Sequence, residues 1–191
     1  MSSLLTEALS LCNLAAVGIF GIVLSAAFCE IEWTRRHKLL LVGCTILMLA
    51  LQGVVSLRWG TGLARYLYPL ITHLPLWLLL AAMTRRALWP LVSVLTAYLC
   101  CQLRRWAALL VIALFPAGGT VLQDATELIV TLPILLVLIR WIAPSVRALS
   151  RSPLLLQLQF GLIPLLSYLF DYFTRIYTDC LLYTSPSPRD G

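Results

Sequence analysis

Apolar positions in this chain come in long unbroken runs parted by short polar or basic breaks, and no alternating pattern or single amphipathic stripe organises them. A bilayer core of about 30 Å takes about 20 helical residues, and lipid tolerates no irregular backbone against it. On that measure seven runs predict membrane helices: 11–28, 39–57, 66–83, 87–103, 106–122, 128–142 and 154–174. The first has no Lys or Arg before it and no clean small-residue cleavage site, so it reads as a retained helix and not a signal peptide. The expected fold class is therefore all-α, a polytopic bundle of six to seven membrane segments.

Composition sharpens this picture. The chain is 61% hydrophobic and only 12% charged, with a mean hydropathy of +0.93. A soluble domain averages roughly 45–50% apolar and about 25% charged residues, so much of this apolar surface must face lipid. The net charge of +6 does not point to nucleic acid, because the basic residues sit in small clusters between the apolar runs, as topology signals do.

Those clusters predict orientation through the excess of Lys and Arg in short cytoplasmic loops. If all seven runs cross, Arg58, Arg65, Arg104, Arg105, Arg140, Arg147 and Arg151 face Arg35, Arg36, Lys38, Arg85, Arg86 and Arg175, which decides nothing. If 87–103, short and interrupted early by Pro90, dips in without crossing, only Arg58, Arg65 and Arg175 remain outside. That arrangement is preferred, and it puts Asp124 and Glu127 in an outer loop. Trp33, Trp59, Trp89, Trp106 and Trp141 near run ends suit an interfacial aromatic belt.

Candidate chemistry is sparse. His37 lies in the basic loop "TRRHK", and Cys12, Cys29 and Cys44 stand alone on apolar segments. The adjacent Cys100 and Cys101 match no zinc or redox spacing, so no metal, disulfide or catalytic set is expected. His73, inside "YPLITHLPLW" between Pro69 and Pro75, stands out because an ionisable group at that depth faces the bundle. Two readings are open for it: a neutral ring bonded to a neighbouring helix, or a contact in a ligand cavity or proton-sensitive switch. In "YLFDYFTRIY", Asp171 and Arg175 stand four residues apart and can pair on one helix face, with Tyr168, Tyr172 and Tyr177 around them. An interfacial anchor and the floor of an outward-facing recognition site both fit that cluster. Pro69, Pro75, Pro90, Pro116 with Gly118 and Gly119, and Pro164 with Gly161 are hinge candidates.

The stretches "LYPLITHLPLW", "AYLCCQLRRW", "RWIAPSVRALSRSP" and above all "FGLIPLLSYLFDYFTRIYTD" carry a family likeness. Over residues 66–179 the chain resembles the membrane portion of a group of bacterial GHKL-type sensor histidine kinases of the kind found in gut Firmicutes. The resemblance implies a signal-input domain over 1–179 in the inner (cytoplasmic) membrane. It also implies a homodimer, an extracellular or membrane-borne signal, and a response regulator reached through a kinase domain that uses ATP and Mg. In that group an outer loop, one more membrane helix, a helical linker and the kinase follow the "FDY" stretch. These residues themselves hold no nucleotide-binding glycine pattern and no cofactor site. The closing "CLLYTSPSPRD" has no helical or strand period and is similar to a one-frame translation of a widely used transposase sequencing adapter. The expectation is that 180–191 is not native sequence. A small transporter or substrate-binding transport subunit is the competing class; it is disfavoured because the sequence shows neither an internal repeat nor an acid at mid-membrane depth.

Overall fold

The computed structural model describes residues 2–114 and 120–184. Its helices are α1 (Ser2–Phe28), α2 (Arg35–Tyr68), α3 (Leu74–Thr84), α4 (Leu88–Ala113), α5 (Thr120–Val137), α6 (Ala143–Leu149) and α7 (Leu154–Thr184). Two wide π-helical turns, Pro69–His73 and Leu138–Ile142, join α2 to α3 and α5 to α6. Among the described residues six stretches are long and apolar enough to cross a membrane: Ala8–Phe28, Arg35–Gly60, Tyr66–Thr84, Leu88–Ala113, Val121–Leu149 and Leu154–Thr174. The protein is an all-α polytopic membrane bundle.

The number six agrees with the preferred arrangement, but the spans differ from the expected ones because two helices run through their polar breaks. Run 87–103 is the first part of α4, whose 26 residues extend about 39 Å at 1.5 Å per residue, ample for a full crossing. Pro90 falls in its first turn, where a missing backbone N–H costs no helical hydrogen bond. Run 106–122 is no single segment, because its beginning closes α4 and its last residues open α5. Arg104 and Arg105 therefore lie inside a span, not in a cytoplasmic loop, and Asp124 and Glu127 lie inside the next one instead of in an outer loop. Basic residues still segregate: Arg35, Arg36, Lys38, Arg85, Arg86, Arg140, Arg147 and Arg151 fall toward the end formed by the turns at 29–34, 85–87 and 150–153.

Helix α4 is the hub, packing against α1, α3, α5 and α7, while α2 sits at the periphery. The apolar centre joins Phe20, Leu24 and Phe28 of α1 to Leu76 and Leu80 of α3 and to Trp89 and Val92 of α4. Trp89 corrects the aromatic-belt expectation. It is 3% exposed, and its indole N–H donates to the Phe28 carbonyl at 3.1 Å, so it anchors a helix pair, whereas Trp33, Trp59, Trp106 and Trp141 are exposed. Hydroxyls within the spans fold back on their own helices, as Ser25, Thr96 and Thr126 do onto the carbonyls four residues before them.

Among the described residues two breaks fall on positive-φ positions. Gly60 has φ 86° and ψ 162°, a conformation open to glycine, and it separates the second span from the third. Arg85 closes α3 in the left-handed region at φ 54° and ψ 26°, where a side chain costs about 1–2 kcal/mol. Arg85→Gly is expected to raise stability by about 1 kcal/mol. Denaturant titration of the detergent-solubilised protein checks this; a loss of stability would show that the Arg85 side chain contributes more than its strain.

Candidate functional site

The π-helical turn at "PLITH" starts with a proline and is followed at once by the Pro75 first turn of α3. Proline cannot donate the amide that a tight helical ladder needs, so the widened turn absorbs the mismatch, and such turns recur at functional sites. It buries Ile71 and Thr72 and sets His73 at its last position. There the His73 Nδ1 lies 3.1 Å from the Tyr168 hydroxyl of α7. The rings of Tyr68, Tyr98 and Tyr168 surround the imidazole edge-on, with centroids at 4.9, 5.3 and 5.4 Å. Tyr98 and Tyr168 also meet edge-to-face at 4.8 Å, a favoured geometry for aromatic quadrupoles. The Tyr98 hydroxyl of α4 donates to the Asp171 carboxylate of α7. One polar and aromatic cluster thus joins the π-turn, α4 and α7.

This cluster forms one wall of a partly open cavity of about 810 Å³ between the helices. Asn13, Gly21 and Ser25 of α1, Gln52 and Ser56 of α2, and Asp124 and Glu127 of α5 complete much of the lining. The volume falls in the range of small-molecule sites, which pair apolar walls with a few polar groups. Ser56 Oγ and Thr72 Oγ1 are buried with no protein partner, and both residues line the cavity. A buried hydroxyl left unbonded costs about 1–3 kcal/mol.

A second polar assembly borders the same cavity. Arg104 Nη2 donates to Glu127 Oε2 at 2.9 Å, and the residues are only 4% and 7% exposed. Arg104 Nη1 reaches the Asn13 side-chain oxygen at 2.7 Å and Thr131 Oγ1 at 3.2 Å. The Asn13 amide in turn donates to Asp124 at 3.0 Å and to Glu127 at 2.9 Å. This network bonds α1, α4 and α5 within the apolar depth, where each charge is tolerated because the other offsets it. Among the described residues no group of three His, Cys, Asp or Glu side chains is placed to hold a metal ion.

The structure brings three of the sequence candidates together: His73, Tyr168 and Asp171 form the cluster, and Tyr172 lines the cavity beside them. The backbone of Arg175 continues α7, but its side chain lies outside the described residues, as do Pro116, Gly118 and Gly119. Pro69 opens the π-turn, and Pro164 is buried inside α7. Sequence reading missed Tyr98, Thr72, Asn13 and the Arg104–Glu127 pair. Asn13 did carry a signal, since it is a costly polar group flanked by apolar residues.

Fold and site together define a multi-pass helical membrane protein with a polar and aromatic cavity between its helices. Compared with models of protein families, with curated proteins and with solved structures, the chain matches none.

Proposed function

We propose that this bundle is the membrane-embedded signal-input part of a two-component sensor histidine kinase. The supporting observation is the cluster of His73, Tyr98, Tyr168 and Asp171 at the cavity wall. A ligand in the cavity touches the π-turn, α4 and α7 at once. It shifts the bundle by binding one of their arrangements better than another. The basic-rich end faces the cytoplasm on this reading, and the cavity's acids lie toward the outside. Catalysis, with its ATP and Mg, belongs to a cytoplasmic GHKL domain of the whole protein. The bundle works as a homodimer in the inner membrane and passes its signal on to a response regulator.

The test uses the intact reading frame with a response-regulator-driven reporter. His73→Phe and Asp171→Asn are expected to change basal or induced output by about tenfold, in line with couplings of 5–150-fold between linked sites. Unchanged output from both substitutions discards the reading.

One observation favours a small transporter instead: Glu127 and Arg104 are buried within spans beside the cavity, as coupling residues of carriers are. Proteoliposomes that accumulate a solute under an imposed ion gradient, and lose this with Glu127→Gln, would decide for the carrier.

A further inference from the structure

At the end of the molecule opposite Asp124 and Glu127, a second pocket of about 370 Å³ opens between the 85–87 turn and the 150–153 turn. Arg86, Arg151, Ser150, Ser152 and Gln157 line it, with Trp89 behind. Its arginines are tied at one edge and exposed otherwise. Arg86 Nη1 donates to the Ser150 carbonyl at 3.3 Å, and Arg86 is exposed. Arg151 donates to the Glu30 carboxylate while its side chain remains 75% exposed. The Arg151 hydrogen bond holds the Glu30 carboxyl below the usual carboxylate range, so this acid stays ionised at neutral pH. Two guanidinium groups against one carboxylate leave the pocket positive.

The pocket also receives the first turn of α7. The amides of Leu156 and Gln157 bond the Pro153 carbonyl, and the partial positive charge of a long helix start favours an anion there. Ser150 is held from both sides: its hydroxyl donates to Glu30 at 3.3 Å, and its carbonyl accepts from Gln157 at 3.0 Å. The site is therefore braced, and its guanidinium groups keep N–H donors for a guest.

Depth decides which anion fits. The spans Leu88–Ala113 and Leu154–Thr174 both begin at this pocket, and Leu154 and Leu155 beside it are 63% and 68% exposed. A phosphate seated between the arginines sits where the apolar surface starts, so acyl chains attached to it run down the exposed leucines. Basic pockets between membrane helices on the cytoplasmic side are suited to anionic headgroups.

We propose that this pocket binds the phosphate of an anionic phospholipid of the inner leaflet, clamped by Arg86 and Arg151 over the start of α7. The site is distinct from the central cavity and does not depend on what that cavity binds.

The test is native mass spectrometry of the full chain released from nanodiscs of phosphatidylglycerol or of phosphatidylcholine. Wild type is expected to retain phosphatidylglycerol and release phosphatidylcholine. Each of Arg86→Gln and Arg151→Gln is expected to weaken phosphatidylglycerol retention about fivefold, and the double substitution about 25-fold. Arg147→Gln, exposed toward the same end but outside the pocket, is expected to leave retention unchanged. Glu30→Gln removes the bridge but not the arginine and is expected to preserve or strengthen retention. The proposal is overturned if Arg147→Gln weakens retention as much as the pocket variants, if Glu30→Gln weakens it as Arg151→Gln does, or if both lipids are kept equally. Displacement of the lipid by millimolar inorganic phosphate would instead assign a free-anion site and also overturn it.

Discussion

Arg104→Ala is expected to destabilise the folded bundle by about 3–5 kcal/mol, because it strands the Glu127 carboxylate inside the protein. In the native structure that carboxylate takes a charge-assisted bond from Arg104 at 2.9 Å and another from the Asn13 amide at 2.9 Å. Removing the guanidinium also leaves the Asn13 oxygen and Thr131 hydroxyl without their donor. The large effect comes from the orphaned partner, so a volume-preserving apolar pair, Arg104→Met with Glu127→Leu, is expected to recover most of the loss. Arg104→Lys is expected to fall between, since an ammonium cannot reproduce the forked contacts to Glu127, Asn13 and Thr131. Arg105→Ala changes an exposed neighbour and should stay within about 0.5 kcal/mol of wild type. Unfolding in mixed micelles, followed by circular dichroism, gives all of these. A cost below about 1 kcal/mol for Arg104→Ala would mean that water, not protein, surrounds the pair.

Gly161→Leu is expected to cost about 2–3 kcal/mol by overpacking the contact between α4 and α7. A Cβ at Gly161 would stand 2.7 Å from Val92 Cγ2 and 3.6 Å from Val92 Cγ1. Val92 is 3% exposed within the apolar core, so its methyls have no free space to turn into, and the helices must separate. Small residues at membrane-helix contacts allow the close approach that replaces a hydrophobic driving force there. Separation at Gly161 also draws α7 from α4 along the face where Tyr98 meets Asp171, so this substitution should alter signal output as well as stability. Gly161→Ala combined with Val92→Ala removes the clashing methyls and is expected to return close to wild type. If Gly161→Leu alone unfolds at the wild-type midpoint, α4 and α7 do not approach as closely as the structure has them.

Both effects arise at residues that a hydropathy reading undervalues. Arg104 next to Arg105 looks like a break between apolar runs, because a window average weighs charge without regard to partners. Once Glu127 and Asn13 supply bonds from facing helices, the helix has no reason to stop, and α4 continues to Ala113. The same blindness placed Asp124 and Glu127 in a loop. It also ruled out acids within the spans, an inference on which the case against a carrier leaned. Trp89 shows the converse: a tryptophan near a run end suits an interface by composition, but the Phe28 carbonyl and the α1 side chains draw it inward.

What the sequence determined by itself was the solvent and the material: long apolar runs with few charges require lipid around helices, since every backbone amide must bond within its own segment there. It also singled out His73, Tyr168, Tyr172 and Asp171, because an ionisable or hydroxylated side chain among apolar neighbours is costly enough to be visible at once. Tertiary structure alone decided that α4 runs unbroken through Arg104, that a π-turn carries His73 to Tyr168 and the Tyr98–Asp171 bond, and that Arg104 meets Glu127. Those outcomes depend on partners 23 to 95 residues away in sequence, and the cost of burying a polar group is set by the group that faces it, which no local pattern records.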